Sequence, residues 1–260
     1  MPEFAKPVPG NFCWTEVFLE DPARGKGFYG ELFGWASKEM PGSEGTYDIL
    51  HIGGKLVAGA SKMPPELKKA GAPPHWLSHV YVTDANAATK KAEGLGAQIL
   101  RAPARVGSGT VAIIQDPTGG RLAVWSTKES LGTFLWGEIN SLCWTELTTS
   151  HPDAAIKFYV GLFGWKTEAW PMGDFTYTVL KNGDVPVAGL MPQPKEMADA
   201  PTSWTAYFAV SDCDATTKRA EKLGGTICMP PHDIPNVGRF SILADPEGAT
   251  FAVIKNVPRT

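Results

Sequence analysis

The stretch CWTEVFLEDPARGKGFYGELFGW, Cys13 to Trp35, returns as CWTELTTSHPDAAIKFYVGLFGW, Cys143 to Trp165. This offset of 130 also carries Tyr47 onto Tyr177 and the tripeptide VAG at Val57 to Gly59 onto VAG at Val187 to Gly189. Further on, TDANAATKKAEGLGAQI from Thr83 meets SDCDATTKRAEKLGGTI from Ser211, and DPTGGRLAVW from Asp116 meets DPEGATFAVI from Asp245. Solenoid units repeat every 20–50 residues or so, and this period is far longer. The chain is therefore a duplicated domain, with a tail over 1–10, a first domain over 11–127, a linker over 128–140 and a second domain over 141–258.

Each copy divides again. Residues 11–19 alternate with the two-residue period of a strand, and Asp21-Pro22 then supplies an N-cap and a first-turn proline. The helix that follows carries Phe28, Tyr29, Leu32 and Phe33 on one stripe and stops at Gly34. Short strands are expected around Tyr47–His51 and Leu56–Ala60, joined by the hairpin signal Gly53-Gly54. The same order then recurs: a strand over Trp76–Val82, Asp84 as a cap, a helix closing at Gly94 or Gly96, and strands ending in the DPTGG turn and Arg121–Trp125. Strand, helix and three strands thus occur four times. The proline-rich segments MPPELKKAGAPPH and MPQPKEMADAPTS read as connectors, and Phe134, Leu135 and Trp136 of the linker should cover apolar surface. The fold class expected is α+β, with four β-α-β-β-β modules forming two cupped mixed sheets.

Composition narrows the function. At 260 residues and 43% hydrophobic content, each of two domains can bury a core. The net charge of −3 is spread over interspersed acids and bases, with no Lys/Arg run to neutralise phosphates or hold an anionic membrane. Nucleic acid and membrane are thereby excluded as partners. No window approaches the ~20 apolar residues of a membrane span, and the start MPEFAKPVPGN lacks the pattern of an export signal. A cytoplasmic protein is expected, as monomer or homodimer, with a small molecule as its partner. The four cysteines form no C-x-x-C pair and read as small buried hydrophobes. A Cys213–Cys228 disulfide stays open on sequence alone, although a cytosolic setting disfavours it. G-x-S-x-G, H-E-x-x-H and Walker patterns are absent from the sequence.

The paired segments FY…LFGW and V-x-D…LG…DP-x-G, arranged as four modules, resemble the vicinal oxygen chelate superfamily of glyoxalase I, bleomycin-resistance proteins and extradiol dioxygenases. The resemblance spans nearly the whole chain. It is greatest to two-domain glyoxalase-like bacterial proteins of a hydroxylase type, in which W-x-E opens the first strand of each domain. It implies that two modules fold into a cupped sheet with a small-molecule site inside. It also implies a divalent metal held by a His fourteen residues before the Phe of FY and a Glu seven residues after the Asp of DP-x-G. Those positions here hold Trp14 and Ala123 in the first domain and Trp144 and Ala252 in the second. The family's metal ligands are missing, so no metal and no other cofactor is expected, with a divalent metal left open only through a ligand set shifted along the strand to Glu16 and His79.

Strand alternation then sorts the side chains of the implied cups. Cys13, Thr15 and Val17 are expected beneath a helix, with Trp14 and Glu16, and likewise Trp144 and Glu146, inside the cup. His79 and Tyr81 face inward, Tyr207 takes the place of His79 in the second copy, and Ala123 and Trp125 line the cup from the last strand. A buried carboxylate must be hydrogen-bonded, ion-paired, protonated or open to water. Glu16 and Glu146 are accordingly either structural, for example Glu146 paired with Arg239, or general bases and substrate anchors with pKa values raised by an aromatic pocket. His79 is either a satisfied core residue or, with Glu16, an acid/base pair or two ligands of an incomplete metal set. Glu16, His79, Glu146 and Tyr207 are the catalytic candidates. Trp14, Tyr47, Trp125, Trp144, Tyr177 and Arg239 are the binding candidates. Two functions compete: a glyoxalase-like lyase, isomerase or tailoring hydroxylase acting on a small carbonyl or aromatic compound, and a metal-free protein that sequesters a planar molecule between aromatic walls.

Overall fold

A computed structural model describes residues 3–4, 7–42, 45–129, 134–195 and 199–257. The first module runs β2 (Phe12–Leu19), α1 (Pro22–Phe33), β3 (Ala36–Gly42), β4 (Gly45–Ile52) and β5 (Lys55–Lys62), after a short β1 (Glu3–Phe4). A connector helix α2 (Pro65–Lys69) leads to β6 (His75–Tyr81), α3 (Ala85–Gly94), β7 (Gln98–Val106), β8 (Gly109–Gln115) and β9 (Arg121–Thr127). After β10 (Phe134–Leu135), the second copy begins with β11 (Leu142–Thr149), α4 (Pro152–Phe163), β12 (Lys166–Met172), β13 (Phe175–Asn182) and β14 (Val185–Pro192). It closes with β15 (Ser203–Ala209), α5 (Cys213–Lys222), β16 (Thr226–Ile234), β17 (Gly238–Ala244) and β18 (Thr250–Asn256). Strand, helix and three strands do occur four times.

The caps behave as their chemistry dictates. Asp21 Oδ1 accepts from the N–H groups of Ala23 and Arg24, Asp84 Oδ1 from those of Asn86 and Ala87, and Gly34 closes α1 at φ 74°. Each domain orders its eight strands alike, β3-β4-β5-β2-β6-β9-β8-β7 and β12-β13-β14-β11-β15-β18-β17-β16. In both, the modules meet through one antiparallel pair, β2 with β6 and β11 with β15, flanked by parallel neighbours. The tail and linker are not passive: β1 pairs with β10, and β10 with β5, so Phe134 and Leu135 extend the first sheet and are buried.

The helical stripes bury across the domain boundary as well as against their own sheet. Phe28, Tyr29 and Phe33 of α1 share a core with Phe208, Leu243 and Phe251 of the second domain, and Phe158 and Tyr159 of α4 share one with Val80, Leu122 and Val124 of the first. The backs of the two sheets therefore pack together through the helices, and the concave faces point away from this shared core. The polar atoms in the seam are paired in a pseudo-symmetric way. Tyr29 donates its hydroxyl to Asp245 Oδ2 at 2.9 Å and accepts from Trp76 Nε1 at 2.9 Å. Tyr159 donates to Asp116 Oδ2 at 2.6 Å and accepts from Trp204 Nε1 at 2.8 Å. Trp35 Nε1 reaches the carbonyl of Asn140, and Trp165 Nε1 that of Gly10. The FY…LFGW and DP-x-G segments are thus the clasp between domains.

Two expectations need correction. A β-bulge between Phe12 and Trp14 turns Cys13 to the concave side, where it packs with Leu77, Ala123 and Trp125 rather than beneath a helix. The cysteines are not all small buried hydrophobes: Cys13 and Cys213 are buried, but Cys143 is only half-buried and Cys228 is exposed, and all four are free, so the disfavoured Cys213–Cys228 disulfide does not form.

Candidate functional site

In the first cup, β2 and β6 pair Trp14 with His79 and Glu16 with Leu77, so alternation brings Trp14, Glu16, Leu77 and His79 to one face. Glu16 Oε1 and His79 Nε2 lie 2.9 Å apart, with the two residues only 7% and 6% exposed. On the other side, Trp14 Nε1 donates to the Tyr47 hydroxyl at 2.8 Å, and that hydroxyl sits beside Glu16 above Gly59. Because the phenol oxygen already accepts from the indole N–H, the phenolic proton is free to turn toward Glu16. Burial, and then the charge of Glu16, pushes the Tyr47 pKa well up, which keeps that proton in place.

The second cup repeats the chain of bonds with one exchange. Trp144 Nε1 donates to Tyr177 at 2.9 Å, Tyr177 donates to Glu146 Oε2 at 2.7 Å, and Tyr207 donates to Glu146 Oε1 at 2.8 Å. Tyr207 stands opposite Trp144 as His79 stands opposite Trp14. Burial raises the Glu146 pKa, and the two phenol hydrogen bonds only partly oppose it. Trp14, Tyr47, Glu16 and His79 are therefore brought together in one cup, and Trp144, Tyr177, Glu146 and Tyr207 in the other.

Arg239 is not part of either group. Its guanidinium binds Asp214 of α5 at 2.7 and 2.9 Å and Asp233 at 3.0 Å, on the helix side of the sheet, so the Glu146–Arg239 pair does not form. Alternation explains this: Arg239 neighbours Phe240 on β17, and Phe240, 6.2 Å from Tyr207, holds the concave side. Trp125 does lie on the concave side of the first cup, against Tyr81 at 6.1 Å.

Several contributors were not singled out from sequence. Gly59 and Gly189 close the repeated VAG: a Cβ at either would run into the hydroxyl of Tyr47 or Tyr177, so only glycine lets the phenol reach the glutamate. The repetition of VAG was the available signal. His75, on the concave face opposite Phe18, leaves its buried Nε2 without a partner, and burial lowers its pKa. In the connector, fully buried Leu67 of α2 packs into the concave cluster with Phe18 and Leu77 and closes one end of the first cup. At the second cup, Trp170, Met172 and Phe175 of the β12–β13 hairpin are 44%, 37% and 37% exposed.

The donors present do not fit a divalent metal. Trp14 and Ala123 flank His79 on its two neighbouring strands, Glu16 and His79 bond each other, and no group of three His, Cys, Asp or Glu converges among the described residues. Among the described residues the hydrogen-bond partners of Glu146 are phenols, and burial pushes the nearby Cys143 thiol up to about 12. A shallow cleft, open to solvent, lies at the seam between Val8, Phe12, Cys13, Phe134, Trp136 and Val187. Its walls are largely apolar and carry none of the carboxylates or histidines of the cups.

Among the described residues no helix is long and apolar enough to cross a membrane. A protein of Mycobacterium tuberculosis named "Putative glyoxylase CFP32" is 36% identical over 263 residues, covering 100% of both chains. The anthracycline biosynthesis protein DnrV of Streptomyces peucetius is 35% identical, covering 95% of this chain and 94% of its own. Among solved structures, the Mn(II)-bound glyoxalase of Novosphingobium aromaticivorans shares the fold with a TM-score of 0.64 at 15% identity, over 96% of this chain and 83% of that one. A trihydroxybiphenyl dioxygenase of Sphingomonas wittichii does so with a TM-score of 0.65 at 10% identity, over 96% and 91%. Residues 12–124 and 141–253 each match one family, and the chain belongs to the glyoxalase/bleomycin resistance protein/dioxygenase superfamily.

Proposed function

We propose that the chain takes a flat, conjugated carbonyl compound into its cups and that the first cup moves a proton on it, as an isomerase or lyase. The observation that carries this reading is the contact of 2.9 Å between Glu16 Oε1 and His79 Nε2. His79 orients the Glu16 carboxyl group from one side and Tyr47 flanks it on the other, so Glu16 can accept a proton from carbon while His79 shares or returns it. Isomerisation and elimination need only a proton acceptor and a donor, which these residues provide. They are favoured over hydroxylation for that reason. The name of the Streptomyces peucetius relative concerns anthracyclines, which are flat conjugated ketones, and this supports the ligand class.

In the second cup Tyr207 replaces the histidine, which favours binding there without catalysis. The test is deuterium exchange next to the carbonyl of 2-tetralone, followed by NMR, with binding followed by tryptophan quenching. The wild-type protein should accelerate exchange, and Glu16→Gln should abolish the acceleration while binding persists. Binding without exchange in the wild type would make the protein a sequestering one. An absence of binding across a panel of aromatic ketones and quinones would overturn the reading.

A further inference from the structure

We propose that the second cup recognises an organic cation, an aromatic or N-alkylated heteroaromatic ammonium, with Glu146 as its counter-charge. This rests on the reading of the cups as ligand sites and adds the charge of the ligand. The two cups differ at one decisive slot. Glu16 has His79 as a built-in proton carrier, whereas Glu146 has Tyr207, and among the described residues no cationic side chain pairs with it. A carboxylate only 9% exposed and without a positive partner is costly. A proton relieves that cost, and so does a cation delivered by a ligand.

The walls match such a guest. Register places Trp170 opposite Tyr177 and Met172 opposite Phe175, and because Tyr177 reaches Glu146 this face of the hairpin belongs to the cup. Phe240 stands on the other side, 6.2 Å from Tyr207. Aromatic faces attract cations through their quadrupole, and thioethers add polarisable contact. At the same places the first cup has Met40 opposite Tyr47 and Gly42 opposite Gly45. The hairpin's aromatic wall is thus added where the glutamate lacks a basic partner.

The positive groups around the second cup are already engaged. Lys181 pairs with Glu168 at 3.0 Å, and Arg239 is drawn to the helix side by Asp214 and Asp233. His232 stands at the rim, edge-on to Phe240 at 6.3 Å. An anionic guest would meet the carboxylate, and a neutral one would leave it unanswered.

The probes are N-methylquinolinium, a permanent cation, and quinoline, its neutral counterpart at pH 7.5, titrated into the full chain by calorimetry and tryptophan quenching. The cation should bind tighter by about tenfold, the scale of a partly desolvated cation–π and carboxylate contact. Glu16→Gln should keep this preference, and Glu146→Gln should erase it while circular dichroism shows an intact fold. Trp170→Ala should weaken the cation more than the neutral probe. Equal affinities in the wild type, or a preference that survives Glu146→Gln, would overturn the cation while leaving an aromatic ligand in place. If none of N-methylquinolinium, quinoline and 2-tetralone binds at all, the reading of the cups as ligand sites falls with it.

Discussion

Glu16 and His79 face each other at 2.9 Å from adjacent antiparallel strands, and in the second domain the corresponding contact is Glu146 with Tyr207 at 2.8 Å. One backbone arrangement, built twice, thus holds an acid with a base in one cup and an acid with a phenol in the other. The exchange of this single partner divides the roles of the cups, because an imidazole can take up and give back a proton near neutral pH, whereas a phenol holds its proton there.

Exchanging the partners should exchange the behaviour. His79→Tyr is expected to fold, since the matching strand already accommodates tyrosine at this slot, and to lose on the order of 10²–10⁴-fold in proton transfer. The α-deuteration rate of 2-tetralone checks this. A rate unchanged in His79→Tyr would remove the histidine from the mechanism.

Glu146 should make stability depend on pH in the direction opposite to a salt-bridged acid. Its pKa in the fold is raised by burial above the ordinary 4.5, so its favourable contribution is complete below that value and is lost as pH rises through the folded pKa. Glu146→Gln, whose amide can satisfy both tyrosines, should therefore gain stability relative to the wild type as pH climbs from 4 to 8. Thermal melts across that range provide the measurement. A wild type that gains on the variant with rising pH would show that Glu146 has a cationic partner.

The tyrosine clasp should be independent of the cups. Tyr29→Phe leaves Asp245 Oδ2 and Trp76 Nε1 without their buried partner and should cost about 1–3 kcal/mol, with Tyr159→Phe behaving alike at Asp116 and Trp204. Urea denaturation gives the loss, and ligand affinity should be unchanged. A neutral result at both positions would show that the seam is wet.

Gly189→Ala should displace Tyr177 and cost about 1–3 kcal/mol through overpacking, and ligand binding in the second cup should fall with it. Comparing it with Tyr177→Phe separates crowding from loss of the hydroxyl. Full affinity in Gly189→Ala would show that Tyr177 is not needed where it lies.

Chelation should leave melting temperature and deuterium exchange unchanged, since the donors of neither cup make a metal site. Loss of exchange in EDTA, restored by Mn²⁺ or Zn²⁺, would show that Glu16 and His79 recruit a third ligand.

The duplication, the four modules, the caps at Asp21 and Asp84 and the apolar stripe of α1 were legible in the sequence because they are local. Period, capping and turn chemistry depend on residues a few positions apart. Alternation along β2 and β6 also put Glu16 and His79 on one face. What lay beyond the sequence were contacts whose partners are distant in the chain: Tyr29 with Asp245, Tyr159 with Asp116, and Glu146 with Tyr177 and Tyr207 rather than Arg239. These depend on how the sheets curl and on how their backs meet. A single bulge at Cys13 was enough to reverse one side chain, and the need for glycine at 59 and 189 became visible only once a tyrosine from the neighbouring strand crossed above it. Alternation assigns each residue a face, but register, curvature and domain packing decide what it meets there.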